Sequence, residues 1–325
     1  MKSSIVVKPS PLLGAALIGA LVFGSSASAL AQVPAPDQTS QTTFRGGVEA
    51  VAVTVTIRDS RGRVVHDLVA SDFEVIDTGT ASPITDFFAG EGPISIAILM
   101  DISGSMSVGD NIGRAREAVS MLTAALQPGD EVALYTFDSK FKQVITFTSD
   151  LARVREASLT GSPWGVTALF DSIKETAELV GARANRHRAL LVITDGVDTS
   201  SRLTPSQVSG VAASVDVPVY LLSVVTPVDH TGEDSAVTTE KARTESATLV
   251  DLARWTGGDM RVVSRPAHTQ QAVQDLMTEL RHQYVISFEP RTTPGWHPIE
   301  VRLRKKNLFA HTRGGYVIGP ARSGS

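Results

Sequence analysis

The sequence predicts an α/β protein: a doubly wound, mostly parallel sheet flanked by helices, with an additional β-sandwich formed by strands from both ends of the chain. Three observations carry this. Ile94–Met100, Glu131–Phe137, Ala189–Thr194 and Val217–Val224 are nearly continuous apolar runs, the pattern of strands covered on both faces. Helical patterns separate them, as parallel crossovers require. Before residue 93 and after residue 282 the pattern instead alternates with period two, as in half-buried antiparallel strands.

In chain order, residues 1–31 read as an export signal. Lys2 and Lys8 precede the apolar run from Pro11 to Gly24, and small residues end at Ala31, the predicted cleavage site. The alternative is an uncleaved anchor helix, against which the short run and the small residues argue; no membrane span is expected after cleavage. Residues 32–43 are Pro/Thr/Gln-rich and form a flexible leader. The N-terminal β segment, 44–92, starts with VEAVAVTVTIRD, turns at Asp59-Ser60-Arg61-Gly62, and continues with short strands at Arg63–Leu68 and Phe73–Asp77. Residues 93–282 form the α/β domain. Its helices are expected at Asn111–Leu126, Ala168–Val180, Pro205–Ser214, Glu245–Trp255 and Thr269–His282, bounded by Pro128-Gly129, Gly181 and Gly257-Gly258. The third is entered through Thr204 as N-cap with Pro at the first helical position. Strands at Gln283–Phe288, Ile299–Arg304 and Tyr316–Ile318 make the C-terminal segment, 283–320, which is expected to pack with 44–92; residues 321–325 are a tail.

Composition removes several functions. The chain has 325 residues, 42% of them apolar and 20% charged, enough for about two domains of ordinary globular character. With a net charge of −4 it lacks the positive field that nucleic acid would need. It has no cysteine, which removes disulfides, thiolate metal sites and cysteine nucleophiles. No P-loop, GxGxxG or GxSxG element follows a strand, so no small-molecule cofactor is expected. The 7 histidines show no paired metal-binding spacing and are expected in surface or turn positions.

The chemistry concentrates at one strand end. The first buried strand runs into Asp101-Ile102-Ser103-Gly104-Ser105. In an open α/β sheet, ligands bind at the carboxyl ends of strands. One acid and two hydroxyls there offer three oxygen donors, and Gly104 lets the backbone curl so that both hydroxyls face one point. An oxygen-only set with few charges suits Mg²⁺, with Mn²⁺ or Ca²⁺ as alternatives. Further donors from other strand ends are expected at Thr167 and Asp195, although each has a plain alternative, a helix N-cap for Thr167 and a solvated turn acid for Asp195. Asp110, Asp171 and Asp198, close by in sequence, are assigned solvated or supporting positions. Trp164 is either an exposed partner-binding aromatic or a packed loop anchor. The polar stretch Thr226 to Arg243 is either a specificity loop or disordered.

DxSxS after a buried strand, Gly-x-Thr before a helix and a later ITDG together resemble the metal-ion-dependent adhesion site of von Willebrand factor type A domains, a Rossmann-like fold. The leading segment with Asp72-Phe73-Glu74-Val75 and the trailing one with Tyr284 and Arg313-Gly314-Gly315-Tyr316 extend the resemblance to bacterial exported proteins of the "VWFA-related" type. It implies a site of Asp101, Ser103, Ser105, Thr167 and Asp195, with the hydroxyls binding the cation directly and the acids acting partly through waters. It further implies a non-enzymatic protein-binding module of the bacterial periplasm or cell exterior, whose partner protein offers an Asp or Glu to the metal. A metal-assisted hydrolase and an envelope scaffold with a stabilising metal remain as alternatives. The hydrolase would need a positioned base, and the motifs contain none.

Overall fold

The computed structural model describes residues 50–226 and 240–318. The predicted signal, the leader and the C-terminal tail therefore lie outside the described residues. So does the core of the 226–243 stretch.

Two separate antiparallel sheets hold the terminal strands. One has the order β13-β1-β11-β4, from β1 (Val51–Asp59), β4 (Ile84–Phe88), β11 (Tyr284–Phe288) and β13 (Leu308–Thr312). The other has the order β14-β12-β2-β3, from β2 (Phe73–Asp77), β3 (Thr80–Ser82), β12 (Gly295–Leu303) and β14 (Gly315–Ile318). Each sheet mixes strands from before and after the α/β region. Their inward residues, among them Val53, Val55, Ile57, Phe73, Tyr284, Ile286 and Val301, share one apolar core, so neither half buries its alternating face without the other.

Arg63–Leu68 is not a strand; it makes a single bridge, Arg58 to Val64. The Asp59 carboxylate takes the amides of Arg61 and Arg63, and the Tyr284 hydroxyl donates to Val65 O and accepts from Leu68 N. Side chains thus satisfy backbone groups that a neighbouring strand would otherwise have to pair.

The central sheet has the order β10-β9-β8-β5-β6-β7. Its parallel strands are β5 (Ile94–Asp101), β6 (Glu131–Phe137), β8 (His187–Thr194), β9 (Val219–Val224) and β10 (Met260–Val263). An antiparallel edge strand, β7 (Phe141–Thr148), completes it. Along β5 alternate residues serve two cores. Ile94, Ile96, Ile98 and Met100 face α1 (Asn111–Ala125), α2 (Leu151–Ser158) and α6 (Pro266–Arg281). Ala97 and Leu99 face α3 (Leu169–Gly181), α4 (Pro205–Ser214) and α5 (Glu240–Thr256). The helix α4 starts as expected, with Pro205 in the first turn and a Thr204/Gln207 capping box.

The described residues belong to one compact unit. Buried polar groups tie sandwich to α/β region. Asp216, which follows α4 with φ 53°, accepts from Thr54 Oγ1 at 3.0 Å and pairs with Arg313 at 3.3 Å. Arg313 also donates to the carbonyls of Ala213 and Ala52. Two histidines depart from the surface expectation. His187 and His297 are buried; His187 packs on Phe88 and His297 on Tyr316.

Candidate functional site

The chain runs from β5 outward to β6 and β7, then returns to place β8 on the other side of β5. The crevice at this reversal is where an open sheet leaves room for a ligand. Met100 and Ile193 are register partners, so the next residues, Asp101 and Thr194, sit side by side at the carboxyl edge.

Asp101 is fully buried, and both its oxygens have protein donors. Ser103 N donates to Oδ1 at 2.7 Å, and Thr194 Oγ1 donates to Oδ2 at 2.6 Å. The first bond curls the loop so that the Ser103 and Ser105 hydroxyls lie 3.1 Å apart. The Asp101 carboxyl is nevertheless pushed up to about 6, from an ordinary 3.8. Burial is the main cause, and the neighbouring Asp195 charge adds to it. Burial also raises Asp195, which the Ser105 hydroxyl and its own loop amides only partly offset. One Asp195 oxygen, Oδ1, is buried without any hydrogen-bond partner. No basic side chain is among the causes acting on either acid.

Thr167 reaches the same edge through its backbone. Gly104 N donates to Gly165 O at 3.0 Å, and Trp164 N donates to Ile102 O at 2.9 Å, so the 163–167 loop is latched to the Asp101–Ser105 loop. A Cβ on Gly104 would lie 3.2 Å from Gly165 O, which is why glycine suits the latch. Thr167 is 3% exposed and does not cap α3. The helix amides are taken by others: Asp198 accepts from Leu169 N, and Ser201 from Phe170 N and Asp171 N. Thr199 binds both the amide and the carbonyl of Thr167. Asp198 and Asp171 are thus supporting groups, the latter accepting from Arg202 N and Leu203 N. Asp110 stands at the start of α1 with φ 66°.

The structure therefore brings Asp101, Ser103, Ser105 and Asp195 into one connected cluster and holds the Thr167 loop against it. Thr194 and Thr199, not among the predicted donors, also belong to the site. The signal for Thr194 was present in the parallel pairing of β5 and β8, which sets a strand-end hydroxyl beside Asp101. Among the described residues, no three His, Cys, Asp or Glu side chains group as metal ligands, so any cation here depends on the hydroxyls. The donor set fits a hard divalent cation. It combines neutral hydroxyls with buried Asp101 and half-buried Asp195, neither with a counter-charge, the latter with one buried oxygen unbonded.

Around this edge the surface is apolar in places. Trp164 is 82% exposed, which overturns its reading as a packed anchor, and Val108 and Val166 are exposed as well. Thr226, just after β9, lies against Gly109, where a Cβ would meet its methyl at 2.2 Å. Among the described residues no helix is long and apolar enough to cross a membrane.

Residues 96–197 match the von Willebrand factor type A domain family, and that span contains all five candidate residues. No curated protein matches the chain. Among solved structures, the chain is similar to a conserved hypothetical protein, BatB, from Bacteroides thetaiotaomicron. Identity is 19% over 57% of this chain and 98% of that one, with a TM-score of 0.47. It is also similar to a von Willebrand factor type A protein from Catenulispora acidiphila, at 14% identity over 85% and 74% of the two chains and a TM-score of 0.45. A third is the vWF domain of the type V pili tip protein Mfa5 from Porphyromonas gingivalis, at 12% identity over 58% and 95%, with a TM-score of 0.44.

Proposed function

We propose that residues 93–282 are a divalent-cation-dependent protein-binding module, non-enzymatic, in a protein exported to the bacterial periplasm or cell exterior. Ser103, Ser105 and Thr167 would hold Mg²⁺, with Mn²⁺ or Ca²⁺ as alternatives, and Asp101 and Asp195 would balance its charge. When bound, the cation supplies an electrophilic position that an Asp or Glu of a partner protein can fill. The observation that carries this reading is the buried Asp195 Oδ1, left without a partner beside fully buried Asp101. An acid pair in that state costs free energy unless a positive charge joins it.

The remaining residues prepare the site. Ser103 N and Thr194 fix the Asp101 carboxylate, and the Gly104–Gly165 latch sets the distance between the two donor loops. Thr199 holds the Thr167 backbone so that its hydroxyl need not cap a helix. Neutral hydroxyls leave most of the cation charge available to an outside carboxylate, and exposed Trp164 offers a neighbouring apolar contact. The match of residues 96–197 to the type A domain family supports the reading. Calorimetric titration with Mg²⁺ tests it. Wild type should bind at one site, and Ser103→Ala/Ser105→Ala should not bind while keeping a native circular dichroism spectrum. Equal binding by both would exclude the proposed donors. Capture of partner proteins from envelope extract should then require Mg²⁺, be reversed by EDTA, and fail in the double variant.

A further inference from the structure

Away from the cation site, the Arg313-Gly314-Gly315-Tyr316 motif builds a tryptophan platform. Trp255 at the end of α5 and Trp296 in β12 stack with ring centroids 5.7 Å apart and planes 18° from parallel. Both indoles lie on the glycine pair. A Cβ on Gly314 would come within 3.0 Å of Trp255, and one on Gly315 within 2.4 Å of Trp296. The indoles still remain 46% and 39% exposed, an unusual state for two adjoining tryptophans.

Beside them, α4 and α5 border a groove of about 570 Å³, a volume in the range of small-molecule sites. Pro205, Ser209 and Gly210 line one wall, and Asp251 and Leu252 the other. Gly210 is informative. Glycine inside a helix is destabilising relative to alanine, yet a Cβ there would meet nothing within 4 Å. Packing does not demand this glycine; its effect is to keep the groove open. Asp251 is the one charged residue of the lining and, among the described residues, forms no ion pair. Electron-rich indole faces with a single carboxylate attract a cation, and the apolar walls favour one with an apolar body over a hydrated metal ion.

We propose that this groove binds a small organic cation of the alkylammonium class, its charge against Asp251 and the indoles, independently of the divalent-cation site. Choline is the probe, with 3,3-dimethyl-1-butanol as its neutral isostere, and tryptophan fluorescence in EDTA is the readout. The Trp164→Phe background leaves Trp255 and Trp296 as the only reporters among the chain's 3 tryptophans. Choline should give a saturable change, with binding about tenfold weaker for the isostere and for Asp251→Asn. Gly210→Met should abolish the response by filling the groove; if that variant does not fold, the exposed Asp251→Asn decides. No saturable change at tens of millimolar choline, equal binding of the isostere, or an unaltered response in Asp251→Asn would each overturn the proposal.

Discussion

Replacing Asp101 by asparagine should stabilise the protein without divalent cations and destabilise it with them. In the cation-free fold the Asp101 carboxyl titrates near 6, against 3.8 ordinarily. Between these values the folded chain binds more protons than the unfolded one, so this group's contribution to stability falls as pH rises. Above pH 6 the loss is complete. About two pKa units at 1.36 kcal/mol each make it about 3 kcal/mol, and the raised Asp195 acts in the same direction. Asparagine keeps the Ser103 bond through its oxygen and can donate to Thr194 Oγ1, so the cost disappears with the charge. For a chain of this size 3 kcal/mol is worth roughly 6–12 °C in Tm. Thermal unfolding at pH 5 and pH 8, in EDTA and in saturating Mg²⁺, measures it. In EDTA at pH 8 the variant should melt higher than wild type, and the gap should shrink at pH 5. Mg²⁺ should raise the wild type alone, reversing the order. A variant that melts lower than wild type in EDTA at pH 8 would refute the electrostatic reasoning.

Thr194→Val removes one of the two donors to Asp101 and should cost about 1–3 kcal/mol in urea unfolding, with weaker Mg²⁺ binding by calorimetry. Gly104→Ala places a methyl 3.2 Å from Gly165 O and should weaken Mg²⁺ binding more than it lowers stability. Arg313→Met removes the closer of the two guanidinium groups at buried Asp216, leaving Arg188 at 3.9 Å, and should cost about 1–3 kcal/mol, read from the urea midpoint. Trp164→Ala, at an exposed position, should change stability by less than about 0.5 kcal/mol while reducing partner capture.

The elements with strong periodicity were legible in the sequence. The apolar run of β5, the Pro205 start of α4 and the glycine stop after α5 stand where patterning puts them. What escaped has physical reasons. β7 is an edge strand with an irregular register and several polar residues, so its period is weak. Arg63–Leu68 has strand-like composition, but Tyr284 and Asp59 satisfy its backbone instead. At the site, DxSxS showed the donor loop because its residues are adjacent in the chain. Thr194, Thr199 and the Gly104–Gly165 latch depend on pairing between strands and loops 32 to 93 residues apart, which no local pattern encodes.

Crystals soaked in Mn²⁺ and measured at the manganese absorption edge address the cation directly. One anomalous peak is expected at the carboxyl edge of β5, within about 2.0–2.3 Å of the Ser103 and Ser105 hydroxyl oxygens. Full occupancy elsewhere, with none beside those two serines, would contradict it.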